Sequence, residues 1–113
     1  MYVGIIPPAA DLPPAKAAWS GIWSGWACRN KTCDIKLAVR EVRADGATII
    51  YSFASPWIGP FMTQVEAEFV GEEVQAYIGK GISVAYRMRT NGYVECLLTQ
   101  GENWVAGVLS RDK

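Results

Sequence analysis

Between Cys33 and Val42 the chain alternates strictly. Cys33, Ile35, Leu37 and Val39 fall on one side, and Asp34, Lys36 and Arg40 on the other. A period of two is that of a β-strand with one face on a core, because successive side chains point to opposite faces. The pattern returns over Phe61–Val70, where Phe61, Thr63, Val65, Ala67 and Phe69 oppose Gln64, Glu66 and Glu68. It returns again over Ile82–Thr90, where Ile82, Val84, Tyr86 and Met88 oppose Ser83, Arg87 and Arg89. Shorter strands are predicted at Trp19–Ala27, Ala47–Ala54, Glu73–Ile78, Tyr93–Thr99 (with Val94, Cys96 and Leu98 inward) and Asn103–Ser110. The strand at 47–54 is apolar on both faces, so its register stays open. Either Ile49, Tyr51 and Phe53 point inward and Ile50 is exposed, or the reverse.

Turn signals separate these runs: Asp45-Gly46, Gly71-Glu72, Gly79-Lys80-Gly81, Asn91-Gly92 and Gly101-Glu102. Asn91-Gly92 is read as a two-residue type I′ hairpin, since both residues tolerate positive φ. About eight short strands joined by tight turns most easily close on themselves. The expected fold is therefore all-β, an antiparallel up-and-down β-barrel of about eight strands over residues 19–113. Residues 1–18 carry Pro7, Pro8, Pro13 and Pro14 and read as an extended N-terminal arm, with one helical turn at Pro14–Ala18. In this order the longer connections, Arg29–Thr32 and Ser55–Pro60, share one rim, which is the expected mouth. The arm and the short turns lie at the other rim, the expected base.

Composition narrows the function more by exclusion than by assertion. The 113 residues form one domain, and half of them are hydrophobic, enough for a single core. Eleven basic residues balance eleven acidic ones, which gives no electrostatic pull toward nucleic acid. No apolar run is long enough for a membrane-spanning helix. There is no histidine, so the commonest general base and the commonest metal ligand are missing together. No nucleophile–base motif or phosphate loop is present, and no catalytic residue, metal or cofactor is assigned. The chain is read as a non-enzyme. The arm lacks the basic and apolar segments of a signal peptide, so the location reads as cytoplasmic as written, or exported if a signal was removed.

Gly21-Ile22-Trp23 stands in the first predicted strand just after the helical turn, and Arg111 follows the last strand. This pairing resembles the Gly-x-Trp signature of the calycin superfamily, which comprises lipocalins, fatty-acid-binding proteins and avidins. The resemblance implies an up-and-down barrel for small hydrophobic ligands, with Trp23 closing the base and Arg111 packed on it as a cation–π pair. The run Trp19–Gly25 followed by a hairpin is also similar to the avidin opening. An avidin's polar ligand contacts do not map onto this chain, so biotin binding is not implied.

Candidate chemistry sits at the mouth and inside. Cys28 and Cys33 flank a four-residue loop and are either a disulfide that pins the mouth hairpin or two free thiols. Cys96 reads as a small buried hydrophobe. Trp57, bounded by Pro56 and Pro60, is either a ligand-contacting lid or an anchor of its own loop. Tyr51, Tyr86 and Thr63 are candidate interior polar groups that meet a ligand, an internal water or one another. Glu66 and Glu68 share a strand face that reads as a solvated outer wall, with Arg87 and Arg89 as complementary charges. The expected function is binding of a small hydrophobic or amphipathic molecule inside or at the mouth of the barrel. The alternative is an interaction or structural module whose barrel is filled by its own side chains. The apolar outer strip of the strand at 47–54 suggests a homodimer.

Overall fold

The computed structural model describes residues 4–28, 32–54 and 61–112. Eight antiparallel strands close into a barrel in chain order. They are β1 (Gly21–Ala27), β2 (Cys33–Val42), β3 (Gly46–Ala54), β4 (Phe61–Val70), β5 (Glu73–Gly79), β6 (Ile82–Met88), β7 (Val94–Gln100) and β8 (Asn103–Arg111). One short helix, α1 (Pro14–Ala17), precedes them, with proline at its start where no backbone donor is lost. No helix among the described residues is long and apolar enough to cross a membrane.

The alternation in the sequence becomes the inside and outside of the wall. In β2, Cys33, Ile35, Leu37 and Val39 are buried while Asp34 and Lys36 are exposed. The open register of β3 resolves with Ala47, Ile49 and Tyr51 buried inside. Ile50 therefore points outward, but it is half-buried rather than exposed. Its cross-strand neighbours are Ala38 and Gln64, and a 2.8 Å hydrogen bond from Arg40 holds Gln64 beside it.

Several element ends differ from expectation by one or two residues, and those at β1 and at the β6–β7 connection have a local reason. β1 starts at Gly21 because the Trp19 and Ser20 N–H groups still donate back to Lys16 and Ala17 in the turn after α1. β6 stops at Met88 and β7 starts at Val94, so the connection is longer than a two-residue type I′ turn. Only Gly92 takes positive φ there (88°), and the loop is closed by Gly92 N–H to Arg89 O and Arg89 N–H to Tyr93 O. At the other edge, the arm is held to the outer end of β2: Ile6 N–H donates to Arg40 O, and Arg40 Nε to Gly4 O.

The base is sealed where the first strand meets the last. Trp23 lies opposite Arg111 in the β1–β8 ladder and is 1 % exposed. The Arg111 guanidinium stands over its ring, 4.3 Å from the centroid. The same guanidinium donates to the carbonyls of Ser20 (2.7 Å) and Ala18 (2.6 Å), satisfying acceptors that the end of α1 leaves unpaired. The Trp23 indole N–H donates to Trp19 O, and the two indole rings pack 6.5 Å apart. Gly21 makes room for this arrangement. Its φ is 122°, and a Cβ there would come 2.7 Å from an Arg111 nitrogen.

Trp23 thus fills the base, anchors the turn before β1 and carries the arginine. Trp23→Ala removes a large buried side chain, and the unfolding free energy is expected to fall by about 3–5 kcal/mol. Urea denaturation followed by far-ultraviolet circular dichroism checks this. A loss below about 1 kcal/mol, the range of ordinary surface substitutions, would show that the base does not depend on the ring.

Candidate functional site

Burial of the inward-facing positions varies along the barrel: at the mouth end Ala27, Cys33 and Ile35 are buried, and at the base end Phe69 and Met88 are half-buried. Toward the base, Trp23, Leu37, Val39, Ala47, Ile49, Val74, Val94 and Leu109 are fully buried. Toward the mouth, Phe53, Thr63, Val65, Ile78, Ile82, Leu98 and Val105 are only half-buried, and Phe61 is 42 % exposed. In β4 the inward positions go from exposed Phe61 through half-buried Thr63 and Val65 to buried Ala67 and half-buried Phe69. The wall is also thinnest here. The β3–β4 ladder holds eight residue pairs, whereas the β4–β5 ladder runs only from Val70↔Glu73 to Glu68↔Gln75. The mouth-side part of β4, with Thr63 and Val65, has no ladder partner in β5.

A small polar cluster lies in the interior. Tyr86 in β6 is paired with Cys96 in β7 and with Val74 in β5. Tyr51 in β3 is paired with Leu37 and Thr63, and its ring meets Phe61 edge-on at 6.2 Å. Tyr51, Tyr86 and Cys96 are buried, with Cys96 close enough to add to the raised proton affinity of both phenols and Tyr51 to that of Tyr86. Burial is the main cause for both phenols, with the nearby Cys96 thiol adding to it. Burial alone pushes the Cys96 thiol from the usual 9.0 up to about 12. All three groups are therefore neutral at physiological pH.

The decisive group is the Tyr86 hydroxyl. Its side chain is 1 % exposed, and among the described residues no hydrogen-bond partner reaches its oxygen. Mutual satisfaction of the interior hydroxyls, one of the expected arrangements, does not hold for Tyr86. The ring is fixed by the strand, since its neighbours in β5 and β7 are Val74 and Cys96, and neither Val74 nor the wall beyond it offers an acceptor.

The interior has almost no charge. No charged side chain among the described residues is buried. Of the inward-facing strand positions only Arg111 is ionic, and it is spent at the base. Several of the remaining charges form ion pairs on the outer surface. Arg43 reaches Glu41 (3.0 Å) and Glu66, Arg87 reaches Glu72 (3.4 Å), and Arg89 reaches Glu95 (2.9 Å). Glu66 also accepts from Thr48 Oγ1, so it belongs to a surface network rather than to a carboxylate pair with Glu68.

At the mouth rim Cys28 and Cys33 form a disulfide, with their Cα atoms 5.6 Å apart. Cys28 ends β1 with a positive φ of 69°. Trp57, the expected lid or anchor, lies outside the described residues. Among the described residues no cluster of three or more histidine, cysteine, aspartate or glutamate side chains is placed to hold a metal ion.

Two features escaped the sequence reading. Cys96 looked like a plain hydrophobe, and only the β6–β7 register sets it beside Tyr86. The outer wall also carries an apolar strip that the alternation conceals. Trp26 pairs with Val108 across β1–β8, and Leu97 pairs with both Ala106 and Ala85. Trp26, Val108 and Leu97 are exposed, as is the neighbouring Trp104. A groove of about 820 Å³ runs along this face beside Trp26, Lys36, Tyr93 and Val108. It is an open surface groove and lies outside the barrel. No family model matches the chain, and no curated protein matches it.

The buried thiol gives a direct check of this interior. Because its folded pKa is raised, the folded state keeps a proton that the unfolded chain releases near the ordinary value. The stabilising contribution is complete below about pH 8.5 and declines as pH climbs toward about 12. With the disulfide intact, a thiol reagent at pH 8 is expected to label no cysteine in the folded protein and one after unfolding. The urea midpoint should fall steadily above pH 9. Rapid labelling of the folded protein would place Cys96 outside a sealed interior.

Proposed function

We propose that this chain is a calycin-like binding module that takes a small hydrophobic or amphipathic molecule through its mouth. The observation that carries this reading is the Tyr86 hydroxyl, buried inside an apolar barrel with no partner among the described residues. Leaving such a group unsatisfied costs about 1–3 kcal/mol, which a bound acceptor removes. The Arg111–Trp23 stack behind Gly21 is the arrangement the calycin resemblance implies, and it supports that class. Affinity would come from covering Phe53, Phe61, Val65, Leu98 and Val105. Each Å² of apolar surface removed from water contributes about 25 cal/mol before the entropy of association is subtracted.

The test is titration with the fluorophore anilinonaphthalene sulfonate, followed by displacement with long-chain alcohols or sterols. A single saturable site is expected, displaced competitively. Thr63→Trp fills the mouth half from an inward, half-buried position and is expected to abolish binding with little change in the urea midpoint. The absence of saturable binding by the wild type, or equal binding by Thr63→Trp, would favour a barrel without a ligand.

A second reading concerns the outside. The strip of Trp26, Val108, Leu97 and Trp104 is an apolar patch on three neighbouring strands, β1, β8 and β7, as expected of an interface between copies of the chain. It replaces the outer face of β3 as the dimer surface, since Ile50 is already half-covered. Sedimentation velocity is expected to show a dimer that Val108→Glu converts to monomer. A wild type that stays monomeric across a wide concentration range would discard this reading.

A further inference from the structure

We propose that the molecule taken up by the barrel presents an uncharged carbonyl oxygen to the Tyr86 hydroxyl, so that the ligand class is neutral aliphatic ketones or esters rather than fatty-acid anions. The inference rests on the binding reading above and specifies the chemistry of that site.

Three observations converge on it. Tyr86 supplies a donor that nothing else among the described residues uses. A carbonyl oxygen is an acceptor only, so one donor satisfies it and it brings no hydrogen of its own to place. An alcohol or amide would bring a donor of its own, for which the inward polar side chains offer only the Tyr51 and Thr63 hydroxyls and the weakly accepting Cys96 sulfur.

The second observation is charge. Among the described residues the inward strand faces carry no cation except Arg111, which is held at the base by Trp23 and by the carbonyls of Ala18 and Ser20. A carboxylate brought to Tyr86 would lose its hydration without gaining a counter-ion, which is far more costly than one neutral hydrogen bond can offset. The third observation is shape. The floor beyond Tyr86 is packed by Trp23, Ile49, Val74 and Leu109, so a ligand must lie with its polar end at the floor and its hydrocarbon toward the mouth. It meets Phe61 and the Tyr51 ring on the way in.

The test compares three probes of equal chain length: a medium-chain methyl ketone, the corresponding carboxylate and the corresponding alkane. Binding is read at neutral pH by displacement of the fluorophore, in the wild type and in Tyr86→Phe. The ketone is expected to bind the wild type about tenfold more tightly than the alkane, the worth of one net hydrogen bond. The carboxylate should bind more weakly than the ketone. Tyr86→Phe should erase the ketone's advantage and leave alkane binding unchanged. The carbonyl stretch of the bound ketone should shift to lower frequency in the wild type only. The free variant should be as stable as the wild type or more so, since it loses a donor that has no partner. Ketone and alkane binding alike in both proteins would overturn the carbonyl assignment while leaving the binding reading intact. So would a carboxylate that binds tightest and is indifferent to Tyr86→Phe. A marked loss of stability in free Tyr86→Phe would also overturn it, by showing that the hydroxyl has a partner in the unliganded protein. Failure of all three probes and of the fluorophore to bind would overturn both.

Discussion

A barrel stands or falls with the contact between its first and last strands, because only that contact turns a sheet with two edges into a wall with none. In this chain the seam is built by unusually close backbones. Gly25 in β1 sits where a Cβ would fall 1.9 Å from Val108 O, and Gly107 in β8 faces Trp26 O and Ala27 across the same seam. Five residue pairs hold β1 to β8. At the lower end of the seam, Arg111 ties strand, helix turn and tryptophan into one unit, and Asp112 continues the tie by pairing its N–H with Ile22 O and accepting from Ser24.

The rest of the molecule follows from where that closure is strong. Trp23 and Trp19 belong to the buried core at the base, and Leu12 packs against it. At the other end Phe61, Thr63 and Val65 line a stretch of wall that β5 does not complete. The polar cluster of Tyr51, Tyr86 and Cys96 stands between the two. A hydroxyl placed there is sealed from solvent and has no partner among the described residues. The neutral interior and the paired charges of the outer wall separate the two faces of the strands chemically as well as geometrically.

Much of the architecture was legible because a half-buried strand writes its two faces into the sequence. β2, β4 and β6 show it plainly, and their inward residues are the ones the alternation indicates. β3 did not declare its register, since Ile49 and Ile50 are equally apolar, and only pairing with β2 and β4 settles it. The Asn91-Gly92 pair marked the turn correctly and its type wrongly, because Arg89 and Tyr93 add a backbone hydrogen bond that extends the loop. The site was less legible than the fold. Tyr51, Thr63 and Tyr86 could be placed on inward faces, but whether a hydroxyl has a partner depends on cross-strand neighbours that no local pattern encodes. The apolar strip through Trp26, Leu97 and Val108 was hidden for the same reason, being spread over strands far apart in the chain.

The central claim is that the apolar interior is built to hold a neutral small molecule against Tyr86. Native mass spectrometry of the protein, purified without denaturation, tests it most directly. The account predicts a bound species of small mass that is released on unfolding, carries no ionisable acid, and is absent from Thr63→Trp prepared in parallel. A wild type whose mass is that of the bare chain, and which remains bare after incubation with excess medium-chain ketone, would contradict it.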